Sequence, residues 1–558
     1  MKVLGIHAGH DSSAALIEDG KVIADVAEER FTRQKHYAGA PLKAIEYCLQ
    51  LANSQSIDAI AFSTHAAERS RGWPADVFDG FSGRPVDWVR KLPIYFPSYK
   101  LRSTAELHFV PHHESHAAAA YFTSGLEPGE RAVVVTMDGT GDDGVSSAIW
   151  RAENGKLECL YSAGQESSIG WFYSNVTELL GWWHGDAEGK TMGLAPYGDP
   201  HRARGVFEGF YPRFENGRLV QPHEFGKASG FSVGGSLHYH FADVEAMRGL
   251  LRSYERADLA AHAQEILERE VQAFALPWLR AERTDRLLCS GGVFLNVKLN
   301  QRIWESGAAR IHYPFPNAGD AGLAVGAALA VYHKENPGSA IHRLRHLHAG
   351  PEYADGEIEA LLKRSKLPYR RVDDPPRVAA GLLAEGRIVG WFQGRMESGP
   401  RALGGRSILM SAHSAGNKDL INAQVKFREP FRPFCPSLLA EYRDEYLENA
   451  RDEDFMITSF NVVPGKRDRI PAVVHVDGTL RPQTVHRDVS PLYHRLIERF
   501  GELTGEYVVL NTSLNVMGEP IVASPVDAIR CFYSCGLDAL CLGSFLLEKG
   551  QPASARIA

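Results

Sequence analysis

The chain has 558 residues, too many for one hydrophobic core, so two or more domains are expected. A formal net charge of -7, from 61 Lys and Arg against 68 Asp and Glu, leaves no overall basic excess and argues against a nucleic-acid partner. Cys48, Cys159, Cys289, Cys435, Cys531, Cys535 and Cys541 form no Cys-x-x-Cys pair. That pattern fits reduced thiols in a cytoplasmic protein rather than a disulfide framework or a zinc ribbon. The N-terminus carries no signal-peptide pattern, and the longest apolar helix candidate, Ala321 to Tyr332, is too short for a bilayer, so no membrane partner is expected.

Val3 to Ile6 gives a buried-strand signal, followed by the polar turn His7-Ala-Gly-His10-Asp11-Ser12-Ser13. Residues 14–27 form a hairpin around Asp19-Gly20. Glu28 to His36, which includes Lys35, reads as a polar loop, solvated by the ordinary exposure of such residues. Pro41 to Leu51 has the pattern of an amphipathic helix. Residues 68–103, rich in Trp, Pro and other aromatics, read as an insertion over a cleft.

The stretch from Val110 to Trp150 concentrates chemistry. His112 and His116 are four apart beside an alanine run, which on a helix puts both imidazoles on one face. Two imidazoles on one face is a metal-site pattern, although such pairs are often only polar. Asp138 ends an apolar strand, Ala132 to Thr136. Gly139-Thr-Gly141-Asp-Asp-Gly144 fits G-x-G-x-x-G, but a strand, an Asn-Gly turn and another strand follow it instead of a helix. The segment is therefore a glycine-rich hairpin, whose backbone N–H groups are suited to phosphate oxygens. Its plan repeats that of residues 3–27, which points to a duplicated fold. Two such halves facing across a nucleotide cleft describe the architecture of actin, sugar kinases and heat-shock chaperone ATPases.

Gly185 to Thr191 resembles a P-loop, but has three residues between its glycines and no preceding strand, so that reading fails; residues 189–198 read as a loop near the cleft. Residues 201–252 give no assignment. Ala257 to Leu276 is helical in period, and Pro277 is a natural place for it to kink or stop. Arg286 to Asn296 is a strand entering a Ser290-Gly291-Gly292 turn before a helix, where glycines let a backbone approach a ligand and a helix N-terminus favours anions. Asn317-Ala-Gly-Asp320 repeats the logic. Asp320 is either a helix cap or the second carboxylate of a set with His112, His116 and Asp138, a combination that suits iron, manganese or zinc.

Residues 336–350 change texture to Pro, Gly and a His/Arg tract, which sets the domain boundary. Beyond it come a helix at 355–366 with Asp355 as its cap, a strand near 369–372, another helix and a strand at 388–392. Gly394-Arg395 through Arg401 to Arg406-Ser407, and then Lys426 to Arg432, are basic segments inside an acidic chain. Interleaved with Gly, Pro and Phe, they suit a phosphate or carboxylate pocket, which the strand end Asn511-Thr512-Ser513 would also line.

These motifs together resemble the NodU/CmcH O-carbamoyltransferase family over nearly the whole chain. The match is carried by His10-Asp11, His112-x-x-x-His116, Met137-Asp138-Gly139, Glu188-Gly-Lys-x-Met-Gly-Leu-Ala-Pro-Tyr-Gly198, Ser290-Gly-Gly-Val-x-x-Asn296, Gly394-Arg-x-Glu397-x-Gly-Pro-Arg401-Ala-Leu-Gly-x-Arg406-Ser, and Asn511-Thr-Ser-x-Asn515-x-x-Gly518-Glu-Pro. The resemblance implies an α/β, α+β chain with an actin-like, TsaD-like duplicated domain over 1–345 and a YrdC-like domain over 346–558. It implies that carbamoyl phosphate and ATP give carbamoyl-adenylate in the second domain, and that the first moves the carbamoyl group to a hydroxyl of a small natural-product acceptor. It further implies a divalent metal, usually iron with Mg or Mn as alternatives, on His112, His116, Asp138 and Asp320. Arg401, Lys426, Arg432, Arg481 and Ser513 match positions around carbamoyl phosphate and ATP, and Arg395, Arg406 and Asn511 belong to the same motifs. Gly139, Gly141, Gly291, Gly292, Asn296 and Asn317 are the expected nucleotide contacts of the first domain. His10 matches the residue proposed to assist transfer, with Lys35 in the matching loop. A homodimer is compatible with this picture but is not readable. Two alternatives remain: a threonylcarbamoyl-type enzyme acting on tRNA, which the acidic charge disfavours, and a nucleotide-binding regulator without transfer activity, which the basic 394–432 block disfavours.

Overall fold

The structure is a computed structural model that describes residues 1–52, 57–63, 101–127, 129–141, 144–233 and 236–549. The aromatic insertion expected at 68–103 lies outside the described residues except for its last three, which open the strand Leu101–Phe109. The chain divides into two compact units, Met1–Leu344 and Arg345–Ala558.

The first unit holds two five-stranded sheets with the same strand scheme. In one, Lys2–His7 pairs antiparallel with Ser13–Glu18, which pairs antiparallel with Lys21–Ala27. On its other side Lys2–His7 runs parallel to Ile57–Phe62, which runs parallel to Leu101–Phe109. In the other sheet, Ala132–Met137 takes the place of Lys2–His7. Val145–Glu153 and Lys156–Gly164 continue antiparallel on one side, and Arg286–Ser290 and Ile311–Pro314 continue parallel on the other. The tight turns correspond too. Asp19-Gly20 has φ of 49° and 77°, and Asn154-Gly155 has 52° and 74°. Both residues of each turn are left-handed, as the right-handed twist of a two-residue hairpin requires.

The helices His112–Phe122 and Leu323–Glu335 share one apolar cluster with both sheets, including Val3, Ala15, Ala118, Val134, Leu288 and Ala328. Their small side chains set very short separations. A Cβ on Gly5 would lie 1.9 Å from the Ala324 carbonyl oxygen, and one on Gly326 would lie 1.8 Å from that of Ser115. A second cluster packs Ile169–Leu179 and the long helix Arg256–Ala281 against the sheet that contains Val133, Ile149 and Leu287.

Two local expectations are corrected and a third, at Pro277, is narrowed. The helix Arg256–Ala281 runs through Pro277 without stopping there. Proline has no N–H for the carbonyl of Ala273, and the Gly217 N–H takes that oxygen at 3.0 Å. Glu28 to His36 is not a solvated loop: Glu29–Thr32 is a helical turn, and Glu28 and Arg30 are buried. Glu28 accepts the N–H groups of Lys43 (3.2 Å) and Ala44 (2.8 Å), capping the helix Leu42–Leu51 from a distance in sequence. Residues 189–198 are a helix, Glu188–Leu194, followed by the 3-10 turn Ala195–Tyr197. The unassigned 201–252 segment contains two small hairpins, Arg213–Glu215 with Arg218–Gln221 and Lys227–Val233 with Ser236–Phe241, and a short helix, Ala242–Met247.

The second unit is built on a mixed eight-stranded sheet. Its order is Arg370–Arg371, Phe545–Glu548, Ala539–Leu542, Val389–Phe392, Arg406–Ser411, Val508–Ser513, Cys435–Leu439 and Gln483–Val485. Pro375–Ala384 and Pro491–Thr504 share an apolar cluster with these strands. Asp355 is the first residue of its helix rather than the cap. Ala354 holds the cap position, with its N–H on Glu357 at 2.9 Å, while the Asp355 carboxylate accepts the Ser544 N–H. Among the described residues no helix is long and apolar enough to cross a membrane.

Candidate functional site

In the first unit, His112 and His116 lie on one helix face with ring centroids 4.8 Å apart. Asp138 follows the strand Ala132–Met137, and Asp320 opens a 3-10 turn without capping the helix behind it. His116 Nε2 is 3.0 Å from Asp138 Oδ2 and 3.7 Å from Asp320 Oδ1. His112 Nε2 is 3.8 Å from the same two oxygens. One ligand atom from each of the four residues falls within 4.8 Å of the others. His116 Nδ1 is 3.2 Å from Ser290 Oγ, which fixes the ring so that Nε2 faces the carboxylates. Burial opposes the charge of Asp138, yet the His112 and His116 imidazoles beside it hold it well below the usual carboxylate range. Two imidazole nitrogens and two ionised carboxylates so placed fit a divalent cation of the first transition row.

His10 stands at the edge of this cluster, with its side chain 60 % exposed. Its Nε2 is 3.3 Å from Asp320 Oδ2 and its Nδ1 is 2.8 Å from Asp11 Oδ2. Desolvation by the surrounding protein opposes its charge, but Asp320 and Asp11 outweigh it and push the imidazole up to about 10. Asp11 Oδ1 in turn meets His36 Nδ1 at 2.7 Å, and His36 Nε2 meets Asp186 Oδ1 at 3.1 Å. Lys35 is paired with Asp186. That ammonium is thus held by a carboxylate from the segment before the helix Glu188–Leu194, not by the His10 cluster.

The residues expected as nucleotide contacts of this unit all have partners within the protein. The N–H of Gly139 donates to Asp138 Oδ1, that of Gly141 to Val145 O, that of Gly291 to Ala318 O and that of Gly292 to Asp138 Oδ2. All four donors are engaged within the protein. The missing side chains serve close packing. A Cβ would lie 3.1 Å from Trp171 at Gly139, 3.1 Å from His112 at Gly141, 2.1 Å from Met137 O at Gly291 and 3.0 Å from Asp138 Oδ1 at Gly292. Asn296 caps the helix Val297–Glu305 through Leu299 N and exchanges hydrogen bonds with Gln264. Asn317 donates to Asp25 at 3.1 Å. Glycine and asparagine signal a crowded turn as readily as a ligand.

In the second unit Arg401, Lys426, Arg428, Arg432 and Arg481 act on one another electrostatically. Burial first, and then Arg481 and Arg432, bring Arg401 down to about 9. Burial and Arg432 bring Arg428 to about 9, and burial and Arg428 bring Lys426 to about 7. Lys426 ends a π-helical turn, Asn422–Lys426, and Phe427 follows with φ 47°. The ammonium donates among the carbonyl and side-chain oxygens of Ser513 and Asn515. Arg481 places Nε and Nη2 2.9 and 2.6 Å from Cys435 Sγ. Crowded cations of this kind match an anion with several oxygens.

Two of the expected arginines stand elsewhere. Arg406 is fully buried, stacks 3.6 Å above the Phe392 ring, and donates to the carbonyls of Gln393, Gly394, Gly405 and Pro351. Arg395 donates to the carbonyls of Ala349 and Gly350. Both organise backbone. Asn511 is likewise buried, with Nδ2 on Ala402 O and Ser437 Oγ. Sequence reasoning missed Asp11, His36 and Asp186 as one chain of contacts, and Arg428 as a member of the cluster. It also gave no role to Glu397, whose Oε1 accepts the N–H groups of Leu403, Gly405 and Arg406 and so closes the loop that carries Arg401. The Arg428 basic run and the motifs that contain Asp11 and Glu397 left signals in sequence, whereas the meeting with His36 and Asp186 left none.

The sequence matches the family description Carbamoyltransferase N-terminus over residues 2–76 and 85–329, and Carbamoyltransferase C-terminus over 380–549. Nodulation protein NolNO of Sinorhizobium fredii is 37% identical over 97% of this chain and 79% of its own length. Nodulation protein NolO of Bradyrhizobium diazoefficiens is 38% identical over 79% of each. An uncharacterised protein of Synechocystis is 34% identical over 99% of this chain and 97% of its own. The motifs, the cationic cluster and these matches agree: the chain belongs to the carbamoyltransferase family and is an enzyme of carbamoyl transfer.

Proposed function

We propose that the protein is an ATP-dependent O-carbamoyltransferase that joins carbamoyl phosphate, through carbamoyl-adenylate, to a hydroxyl of a small acceptor. The observation that carries this reading is the partly buried cationic cluster of the second unit, in which burial and mutual repulsion depress Arg401, Lys426 and Arg428. A multiply charged anion relieves that repulsion and takes bidentate hydrogen bonds from guanidinium groups. Arg401, Arg428 and Arg432 would hold the phosphate groups where water cleaves carbamoyl phosphate to carbamate and inorganic phosphate, while Lys426, steadied by Ser513 and Asn515, would neutralise charge where the carbamate oxygen then attacks the α-phosphorus of ATP and pyrophosphate leaves. The second unit is then a YrdC-like adenylate-forming domain.

The first unit, with its two like sheets, is on this reading the actin-like transfer domain. The acceptor oxygen bonds to the carbamoyl carbon, the bond from that carbon to the AMP oxygen breaks, and AMP departs with the electron pair. His10 stands where the hydroxyl proton must be handled. A divalent cation on His112, His116, Asp138 and Asp320 would supply positive charge for phosphate oxygens and draw on Asp320, which otherwise favours a protonated His10.

Pyrophosphate release from ATP tests the reading. It should require carbamoyl phosphate in the wild type and fall at least about 100-fold in Arg432→Ala, the loss expected for one charge-stabilising donor. It should persist in His10→Ala. Release independent of carbamoyl phosphate would refute the adenylating half-reaction.

A further inference from the structure

We propose that Asp11 and His36 are positioning residues that aim His10, an inference that rests on the transfer reading above. Four side chains from three parts of the chain meet in line: His10 Nδ1 on Asp11 Oδ2 at 2.8 Å, Asp11 Oδ1 on His36 Nδ1 at 2.7 Å, and His36 Nε2 on Asp186 Oδ1 at 3.1 Å. Because His36 faces a carboxylate at both ring nitrogens, both carry protons. Asp11 therefore receives one imidazole on each oxygen, and its Oδ2 fixes His10 through Nδ1. That leaves His10 Nε2 on the side of the four-ligand cluster, 3.3 Å from Asp320. A carboxylate that orients an imidazole through Nδ1 while Nε2 does the chemistry is a recurring catalytic device.

The backbone shows that this meeting is imposed. Asp11 has φ 57° and His36 has φ 54°, both left-handed. That conformation is uncommon for residues other than glycine. The two strained residues lie on segments held together by a bridge between Gly9 and Gly39 and by the Ser12 N–H on Tyr37 O at 3.1 Å. The His36 N–H is fixed to Glu29 Oε2 at 2.9 Å. Strain maintained by surrounding bonds is a mark of a functional constraint. The bland alternative is that His36 merely ties Asp11 to Asp186 as a strap.

Substitutions at His36 separate the two. Asparagine keeps a donor near the Nδ1 position, toward Asp11, and glutamine keeps one near the Nε2 position, toward Asp186. In the full chain, positioning predicts that His36→Asn retains the downfield Nδ1 proton resonance of His10, whereas His36→Gln and Asp11→Asn lose it. It also predicts that kcat for carbamoyl-phosphate-dependent AMP release, with glycerol as the hydroxyl probe, falls at least about tenfold in His36→Gln and Asp11→Asn. KM for carbamoyl phosphate and pyrophosphate release should not change. A strap predicts the reverse ranking at His36, and that ranking, or an unchanged resonance in Asp11→Asn, overturns the inference. A wild type that releases no AMP counts against the transfer reading instead, and the resonance then decides the positioning by itself.

Discussion

Gly326→Ala is a substitution that helix propensity alone would favour and this structure forbids. Alanine gains about 1 kcal/mol over glycine in an exposed helix interior. At position 326, however, the new Cβ would lie 1.8 Å from the carbonyl oxygen and 2.7 Å from the carbonyl carbon of Ser115, on the helix that carries His112 and His116. Ordinary contact needs more than 3 Å, so the helices must part by roughly 1.5 Å. The helix Leu323–Glu335 has little room to retreat, because Gly5 of the central strand already presses on its Ala324 carbonyl. Overpacking of this kind costs about 1–3 kcal/mol or more, which exceeds the propensity gain. The control is Gly381→Ala, in the helix Pro375–Ala384, where a new Cβ meets nothing within 4 Å and should stabilise by about 0.5–1 kcal/mol. Urea unfolding of both variants, with fluorescence and circular dichroism followed together, gives the two signs. Divalent-metal affinity should fall in Gly326→Ala, since Ser115 lies between the two histidines, and hold in Gly381→Ala. A Gly326→Ala protein as stable as wild type would refute the packing argument.

Three further outcomes follow from the site. With burial and Arg428 bringing Lys426 to about 7, the empty pocket loses that ammonium as pH rises through 7, so anion binding there is linked to proton uptake. Calorimetric affinity for sulfate, which does not titrate in this range, should weaken above pH 7 with a slope approaching tenfold per pH unit, and Lys426→Met should flatten it. Arg406→Met should destabilise the second unit by about 3–5 kcal/mol, because four carbonyls lose their donor in a buried setting; a denaturation midpoint near wild type would contradict that role. Asp138→Asn should lower bound divalent metal, measured by elemental analysis after dialysis, by at least tenfold, and unchanged stoichiometry would remove Asp138 from the ligand set.

Period and punctuation made much of the fold legible. The Asp19-Gly20 and Asn154-Gly155 turns, the His112–His116 helix and the strand leading into Ser290 all form where local chemistry puts them. Pro277 does not end its helix, because its vacant acceptor is filled by Gly217, about 60 residues upstream, a compensation no local rule contains. The glycines at 139, 141, 291 and 292 were legible as close approaches, but sequence does not say what approaches, and the neighbour proved to be protein. Arg395 and Arg406 looked like Arg401 in composition. Only burial and carbonyl partners separate the arginines that build the loop from those in the cationic cluster. The meeting of Asp11, His36 and Asp186 was invisible because it spans 25 and 150 residues and two left-handed backbone positions.

The cationic cluster has a consequence for the lifetime of the protein as well as for its chemistry. Like charges confined without a matching anion raise the free energy of the folded second unit, and an anion that binds only the folded form lowers it again. At an anion concentration a hundred times the dissociation constant, that linkage is worth about 2.7 kcal/mol. On the proposed reading, a unit built this way would resist unfolding and proteolysis more as the supply of its phosphorylated ligand rises.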